Sequence, residues 1–374
     1  MTADFGGPGR EPVRDEEELA SWLAAETLAL CRIPSVTGEE AAIADYLQQR
    51  CAALAPQLSI ERCGNAVLVR TVPRPDAPPR PLVALFGHSD TVRPAAGQSV
   101  AIAAAQARVY GCGASDMKGG LAVMLRLVAD AAALGKELLW VFYDKEEGPA
   151  SQSGMVPLCQ DGARRLAGID VALCLEPTDN LIHAGCVGGL QAEVTAHGRR
   201  AHSARPWQGH NAIYAALPLL TRLAGLARRE VMVDGLRFYE VLTATQARTE
   251  NSRNVVPDRF IVNVNYRFAP GKTLATAKAE LEELIGPGYT LAIVDEAPAG
   301  SVQLSHPLLA AWIQKTGLPV EAKQAWTDVA RLTALGLAAV NFGPGDTAQA
   351  HQADESVAIA ALTASYKALR QLLG

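Results

Sequence analysis

The chain predicts an α/β protein in which a mainly parallel, helix-covered sheet is interrupted by an inserted α+β domain. Three observations carry that reading. Short apolar runs at Pro81–Phe86, Glu137–Tyr143, Asp170–Leu175 and Ala338–Phe342 are each followed at once by a polar loop, and helical patterns separate them. Near Gly188 the texture changes to apolar–polar alternation at period two, the mark of strands with one wet face. Finally, 374 residues is too long for one small core, with roughly 150 residues per domain as a guide.

In order, residues 1–14 read as a disordered leader. Leu19, Trp22, Leu23, Leu28 and Leu30 mark a helix from Glu16 that ends near Arg32–Pro34. Thr37 with Glu40 reads as a capping box opening a second helix through Leu54. Strands at Asn65–Thr71 and Pro81–Phe86 flank the proline-rich turn V-P-R-P-D-A-P-P-R-P. The glycine-rich stretch V-Y-G-C-G-A-S-D-M-K-G-G (109–120) opens a helix to about Leu134. In the insert, strands Leu190–Thr195, Phe238–Thr245 and Phe260–Phe268 interleave with helices Asn211–Arg228 and Leu274–Leu284. The buried pattern then returns with helices Leu308–Lys315 and Val329–Leu335, the strand Ala338–Phe342, the loop G-P-G-D-T-A-Q-A-H-Q and a helix to Leu373. No internal repeat is present.

Composition narrows the function. A net charge of −5 without a Lys/Arg cluster argues against a nucleic-acid surface. Seven cysteines at irregular spacing, with no C-x-x-C, suggest a reduced, cytoplasmic setting rather than a disulfide framework. The first fifteen residues have no apolar core of a signal peptide, and no apolar run approaches the roughly 18 residues that span a membrane.

The chemistry lies in the loops. His88 and Asp90 (in G-H-S-D-T-V), Asp116, Glu146 and Glu147, Glu176 and His351 all fall just past apolar strands. Parallel strands would place them along one edge of one sheet, where open α/β sheets keep their ligands. Each has an ordinary reading alone: Asp116 as a helix cap, Glu176 as a turn residue, Glu146-Glu147 as a solvated pair, His351 as a loop histidine. Together they form a nitrogen and oxygen donor set without cysteine, suited to Zn²⁺, Co²⁺ or Mn²⁺. Asp90 is placed to accept the other ring N–H of His88. In an extended segment Glu146 and Glu147 point to opposite sides, so one can bind metal while its neighbour serves as a base.

In order and spacing, G-H-S-D-T-V, G-A-S-D-M-K-G-G, D-K-E-E-G, L-E-P-T and the late A-H resemble the co-catalytic zinc aminoacylase/carboxypeptidase superfamily. The resemblance runs from about residue 16 to the end. In the second half, G-R-R-A-H-S-A-R-P-W-Q-G-H-N-A-I (198–213), N-V-V-P-D (254–258), N-Y-R-F-A-P (265–270), W-T-D-V-A-R (326–331) and N-F-G-P-G-D (341–346) are most similar to its actinobacterial-type succinyl-diaminopimelate desuccinylases. The resemblance implies two zinc ions per subunit, with Co²⁺ able to substitute. His88, Asp116 and Glu176 would hold one ion, and Asp116 as bridge, Glu147 and His351 the other. It further implies Glu146 as general acid and base, and Asp90 as the residue orienting His88. His202 would be an oxyanion donor reaching a second subunit, with Asn254 and Arg267 as substrate contacts. The domains would be 1–187 and 299–374 for the catalytic part and 188–298 for a dimerisation or lid insert, through which a homodimer forms.

The implied reaction is hydrolysis of a small N-acyl amino acid, N-succinyl-LL-2,6-diaminopimelate, to succinate and LL-diaminopimelate. Acetylornithine or another N-acyl amino acid is the rival substrate, and a metal-binding relative without catalysis the rival class. One departure bears on the choice. Gly185-Cys186-Val187-Gly188 stands where proteobacterial desuccinylases carry G-R-R-G, so an arginine for a diaminopimelate carboxylate is absent, as it is in the actinobacterial type.

Overall fold

A computed structural model describes residues 16–72, 78–160 and 162–374. The expected leader and the middle of the proline-rich turn lie outside the described residues. The chain divides into two compact units. One runs up to Ala184 and resumes with Gln303–Glu321 and Thr327–Gly374; the other comprises Gly185–Val302 and Ala322–Trp326.

The first unit is organised by an eight-stranded sheet. Its order is Ser59–Cys63, Ala66–Arg70, Glu137–Tyr143, Leu82–His88, Ile169–Cys174, Ala338–Asn341, Ile182–Ala184, Val320–Ala322. The four strands from Glu137–Tyr143 to Ala338–Asn341 are mutually parallel. Their register sets His88 beside Tyr143, Phe86 beside Cys174 and Asn341 beside Cys174, so four strands end at one rim. Leu82–His88 is buried along its whole length, because both faces of a parallel sheet are covered. Phe86, Val141, Tyr143, Val329 and Leu332 share one core cluster. Helix Gly119–Ala129, buried over most of its residues, packs so closely that a Cβ on Gly87 would meet Leu121 Cδ2 at 2.5 Å. The residue preceding His88 must therefore be small.

The capping box at Thr37 does not form. Helix Ala41–Leu54 starts without a side-chain cap; Thr37 Oγ1 instead donates to Asp90 Oδ2 at 2.9 Å, and Gly38 N–H donates to the Glu40 carboxylate at 2.6 Å. The helix begins at Ala41 with Glu40 in the N-cap position, so Thr37 stands three residues too early to accept a first-turn N–H, and its hydroxyl donates to the charged carboxylate at the sheet rim instead.

The second unit carries a five-stranded antiparallel sheet in the order Arg229–Val233, Leu236–Arg248, Arg259–Phe268, Gly188–His197, Tyr289–Ala297. Leu190, Val194, Val262 and Val264 pack on Leu219 and Leu223 of helix Leu217–Ala224 and Leu281 of helix Leu274–Ile285. The helix expected over Asn211–Arg228 is two, Ala212–Ala215 and Leu217–Ala224, since Pro218 cannot donate back into the first. The edge strands Arg229–Val233 and Tyr289–Ala297 escaped the pattern reading: Met232 and Val294 are apolar yet lie on the exposed face, at 57% and 56%, so the residue types do not alternate as the burial does.

A charge cluster stabilises this unit. The buried Glu240 carboxylate accepts from Arg229 Nε at 2.8 Å, Lys272 Nζ at 2.8 Å and the Ala269 N–H at 2.9 Å. Burial alone would raise its pKa, but the hydrogen bonds from Lys272, Ala269 and Arg229 prevail and hold it below the ordinary value. A lowered carboxyl pKa stabilises above the unfolded value of about 4.3 and ceases to as pH falls through the folded one. Glu240→Ala should cost about 1–3 kcal/mol at neutral pH, because the buried Ala269 N–H loses its acceptor while Arg229 and Lys272 keep only their pairs with Glu280. In urea unfolding the gap to the wild type should narrow below about pH 4; an unchanged midpoint at pH 7 would contradict the assignment.

Candidate metal centre

The rim of the parallel strands in the first unit gathers the polar residues. His88, the last residue of its strand and only 1% exposed, lies between two carboxylates. Its Nδ1 faces the Asp90 backbone carbonyl at 3.1 Å and Asp90 Oδ1 at 3.4 Å, while Nε2 is 3.1 Å from Asp116 Oδ1. The nearest partner of Nδ1 is thus the Asp90 backbone rather than its side chain. Donation to that carbonyl leaves Nε2 turned toward Asp116 as the ligand atom. Burial should lower the His88 pKa, yet hydrogen bonds to Asp116 and Asp90 and the charge of Glu146 raise it well above its ordinary value. This corner of the molecule favours positive charge.

The Asp90 carboxylate has another task. Oδ1 accepts the Glu146 N–H at 3.0 Å and Oδ2 the Glu147 N–H at 3.1 Å, in addition to the Thr37 hydroxyl. Glu146 and Glu147 therefore sit in a bend after Lys145, whose φ is +59°, and not in the expected extended segment. They still diverge. Glu147 Oε1 is 2.8 Å from His351 Nε2. The Glu146 carboxyl is pushed well above its ordinary pKa, first by burial and then by the charge of Glu176, with His88 opposing.

Glu176 is 5% exposed and follows the strand Ile169–Cys174, whose next residue, Leu175, donates to Phe86 O at 2.9 Å. The backbone there is tightly enclosed: a Cβ on Gly343 would meet the carbonyl oxygens of Leu175 and Glu176 at 2.5 Å. His351, at φ +64°, comes from the loop after Ala338–Asn341 and also lies 3.8 Å from Asp116 Oδ2. The hydrogen bond to Glu147 is the main reason that its pKa rises to about 9.

His88, Asp116 and Glu147 each offer a ligand atom, all within 4.8 Å of one another. Imidazole nitrogen plus carboxylate oxygen, with several anionic groups sharing one partly buried rim, is a donor set that fits a divalent cation. Of the residues expected here, His88, Asp90, Asp116, Glu146, Glu147 and His351 share the rim, with Glu176 at the adjoining strand end. Thr37 and Glu355 were not anticipated; Glu355 accepts the Asp116 N–H. The motif signal of Thr37 points to a helix cap rather than to this site, and Glu355 carries none, since it acts on backbone N–H groups.

His202, Asn254 and Arg267 belong to the second unit. His202 lies on a two-stranded ribbon, Ala201–His202 with Val255–Val256, and the Ser203 N–H donates to Asn254 O at 2.9 Å. His202 Nδ1 accepts the Ala204 N–H at 3.0 Å, so in the neutral ring Nε2 carries the proton. Arg267 is half-buried beside Gly189, where a Cβ would stand 3.0 Å from a guanidinium nitrogen. Burial lowers the Arg267 pKa, and the charge of Asp295 works the other way.

Fold and site together define a metal-dependent hydrolase. Residues 84–374 match the model of peptidase family M20/M25/M40, and the chain belongs to that family. It is 40% identical over 349 residues to the Mycobacterium tuberculosis protein DapE, named as a succinyl-diaminopimelate desuccinylase (93% of this chain, 97% of the other). It is 37% identical over 356 residues to the succinyl-diaminopimelate desuccinylase of Corynebacterium glutamicum (93% and 95%). Among solved structures it resembles a Staphylococcus aureus tripeptidase in fold, with TM-score 0.74 at 18% identity, covering 95% and 97% of the two chains.

Asp116→Ala should weaken Zn²⁺ binding to the metal-free chain by about 100-fold or more, because a ligand contributes more than the tenfold to hundredfold typical of its supporting residues. Calorimetric titration reads this directly, and wild-type affinity in the variant would remove Asp116 from the ligand set.

Proposed function

We propose that the chain is a dinuclear zinc desuccinylase that hydrolyses N-succinyl-LL-2,6-diaminopimelate to succinate and LL-diaminopimelate. The observation that carries this reading is its 37–40% identity, along 93% of its length, to two proteins named for that activity. His88, Asp116 and Glu176 would hold one ion and Asp116, Glu147 and His351 the other, with Co²⁺ as a substitute. The close approach of Asp116 to both histidines supports its role as the bridge. Bound divalent cations supply Lewis acidity, polarising the amide carbonyl and making water acidic enough to attack.

The rest falls to the chain. The Glu146 carboxylate takes the proton of the attacking water and returns it to the leaving nitrogen; a carboxyl raised by burial suits a group that must both accept and donate. Asp90, through the N–H groups of Glu146 and Glu147, fixes where these two side chains start. His202, supplied by a second copy, donates its Nε2–H to the developing oxyanion, and its bond from Ala204 N–H supports that tautomer. Arg267 presents a half-buried planar fork to the succinyl carboxylate, with Asn254 beside the His202 ribbon as a further contact.

We read residues 188–298 as the dimerisation or lid domain. Arg229–Val233 pairs only with residues 236–240 of the long strand Leu236–Arg248, so residues 241–248 have a neighbour on one side alone among the described residues. Trp207, Tyr214 and Leu217 are 75%, 68% and 54% exposed, apolar surface of the kind a second copy covers. We read the setting as cytoplasmic from the irregular spacing of the seven cysteines; among the described residues no helix is long and apolar enough to cross a membrane.

The deciding experiment compares turnover of N-succinyl-LL-2,6-diaminopimelate and N-acetylornithine with added Zn²⁺. Faster acetylornithine hydrolysis would move the assignment to the sister activity, which Gly185-Cys186-Val187-Gly188 leaves open. With the preferred substrate, Glu146→Gln should lower kcat by about 10²–10⁴-fold while bound zinc is retained. Leu217→Asp should give a monomer by sedimentation with activity reduced about 100-fold or more, through loss of the oxyanion donor; a fully active monomer would refute donation of His202 between copies.

A further inference from the structure

We propose that Glu355 is a positioning residue for Asp116: its carboxylate fixes the backbone from which Asp116 reaches the cation and ties that loop to the one carrying His351. The inference rests on the reading of Asp116 and His351 as metal ligands.

The Glu355 side chain is buried, with 2% of the residue exposed. All three of its hydrogen bonds go to the Asp116 loop: Gly113 N–H donates to Oε2 at 2.8 Å, and Ser115 and Asp116 N–H donate to Oε1 at 2.9 and 3.0 Å. One carboxylate thus collects three donors within four residues, the last from Asp116 itself, while the intervening Ala114 N–H donates to Gly111 O. The stitching continues on either side. Glu355 O accepts Gly111 N–H at 3.1 Å, and Ser115 Oγ donates to Asp346 O at 2.8 Å. Directly after Glu355, Ser356–Ala358 pairs antiparallel with Arg108–Tyr110. Residues 108–116 and 346–358 are therefore zipped together, with Asp116 at one end of the seam and His351 within its other half.

The chemistry explains why this position holds a carboxylate. Three N–H donors need acceptor atoms only. A glutamine amide would turn a donor toward either Gly113 or the Ser115–Asp116 pair, and at least one buried N–H would lose its partner. An aspartate has the charge but is one methylene shorter. Burying an ionised carboxyl is expensive unless it is well hydrogen-bonded, and here the bonds are all spent on orienting one loop. With the Asp116 N–H fixed, its carboxylate meets a cation by adjusting χ1 and χ2 alone and not the backbone before them. Preorganisation of this kind appears as metal affinity and as kcat, not as substrate binding.

The test titrates Zn²⁺ alone into the metal-free full-length chain for wild type, Glu355→Gln and Asp116→Asn, and then measures kcat, KM and melting temperature. Glu355→Gln should bind Zn²⁺ about 10–100-fold more weakly and lose kcat by a similar factor, with KM within about twofold of wild type. Should the Gln variant fail to fold, Glu355→Asp is measured by the same criteria, its retained charge keeping the loop partly anchored. A lowered melting temperature with wild-type Zn²⁺ affinity and kcat would mean a merely structural role and would overturn the proposal. Zn²⁺ affinity weakened in Asp116→Asn but not in the Glu355 variant overturns this inference alone. Wild-type affinity in Asp116→Asn as well would mean that the ligand reading itself has failed.

Discussion

The first unit is arranged around negative charge gathered at one sheet rim. Asp90, Asp116, Glu146, Glu147 and Glu176 follow the ends of adjacent parallel strands or the loop beside them, and such crowding is unfavourable unless something offsets it. Two devices do so. Backbone N–H groups and a hydroxyl are spent on Asp90, and those of Gly113, Ser115 and Asp116 on Glu355. What remains is directed at the imidazoles of His88 and His351 and at a cation of matching charge.

Packing beneath the rim makes this arrangement rigid. Gly87 lets helix Gly119–Ala129 approach the central strand within side-chain contact, and Gly343 does the same for the backbone at Leu175 and Glu176. Ligands mounted on enclosed strand ends keep their geometry better than ligands on free loops. The second unit is built on another principle. It has a half-wet antiparallel sheet, its own helix-covered core and an exposed ribbon bearing His202, and it carries the residues proposed to read the substrate.

Much of this was legible in the residues. The parallel strands were found because strands buried on both faces are continuously apolar, and the insert because a half-wet sheet alternates. Asp116, Glu147 and His351 could be named because strand-end loops carry the chemistry of such folds and a recurring motif order marked them. Thr37 misled: a threonine three positions before a glutamate has a good local use, and a distant carboxylate outbid it. Glu355 gave no signal, since a residue that works on backbone N–H groups has no partner visible in sequence.

By itself, then, the sequence determined the period and burial of the strands, the donor chemistry and the family, because these depend on residue type and near-neighbour spacing. Only the tertiary structure decided which ring nitrogen of His88 faces Asp116, that Asp90 anchors two glutamates through their backbones, and that Glu355 braces the loop of Asp116. Those outcomes turn on distances of about 3 Å between groups up to 242 positions apart, and competition among hydrogen-bond partners is resolved only once the chain has closed.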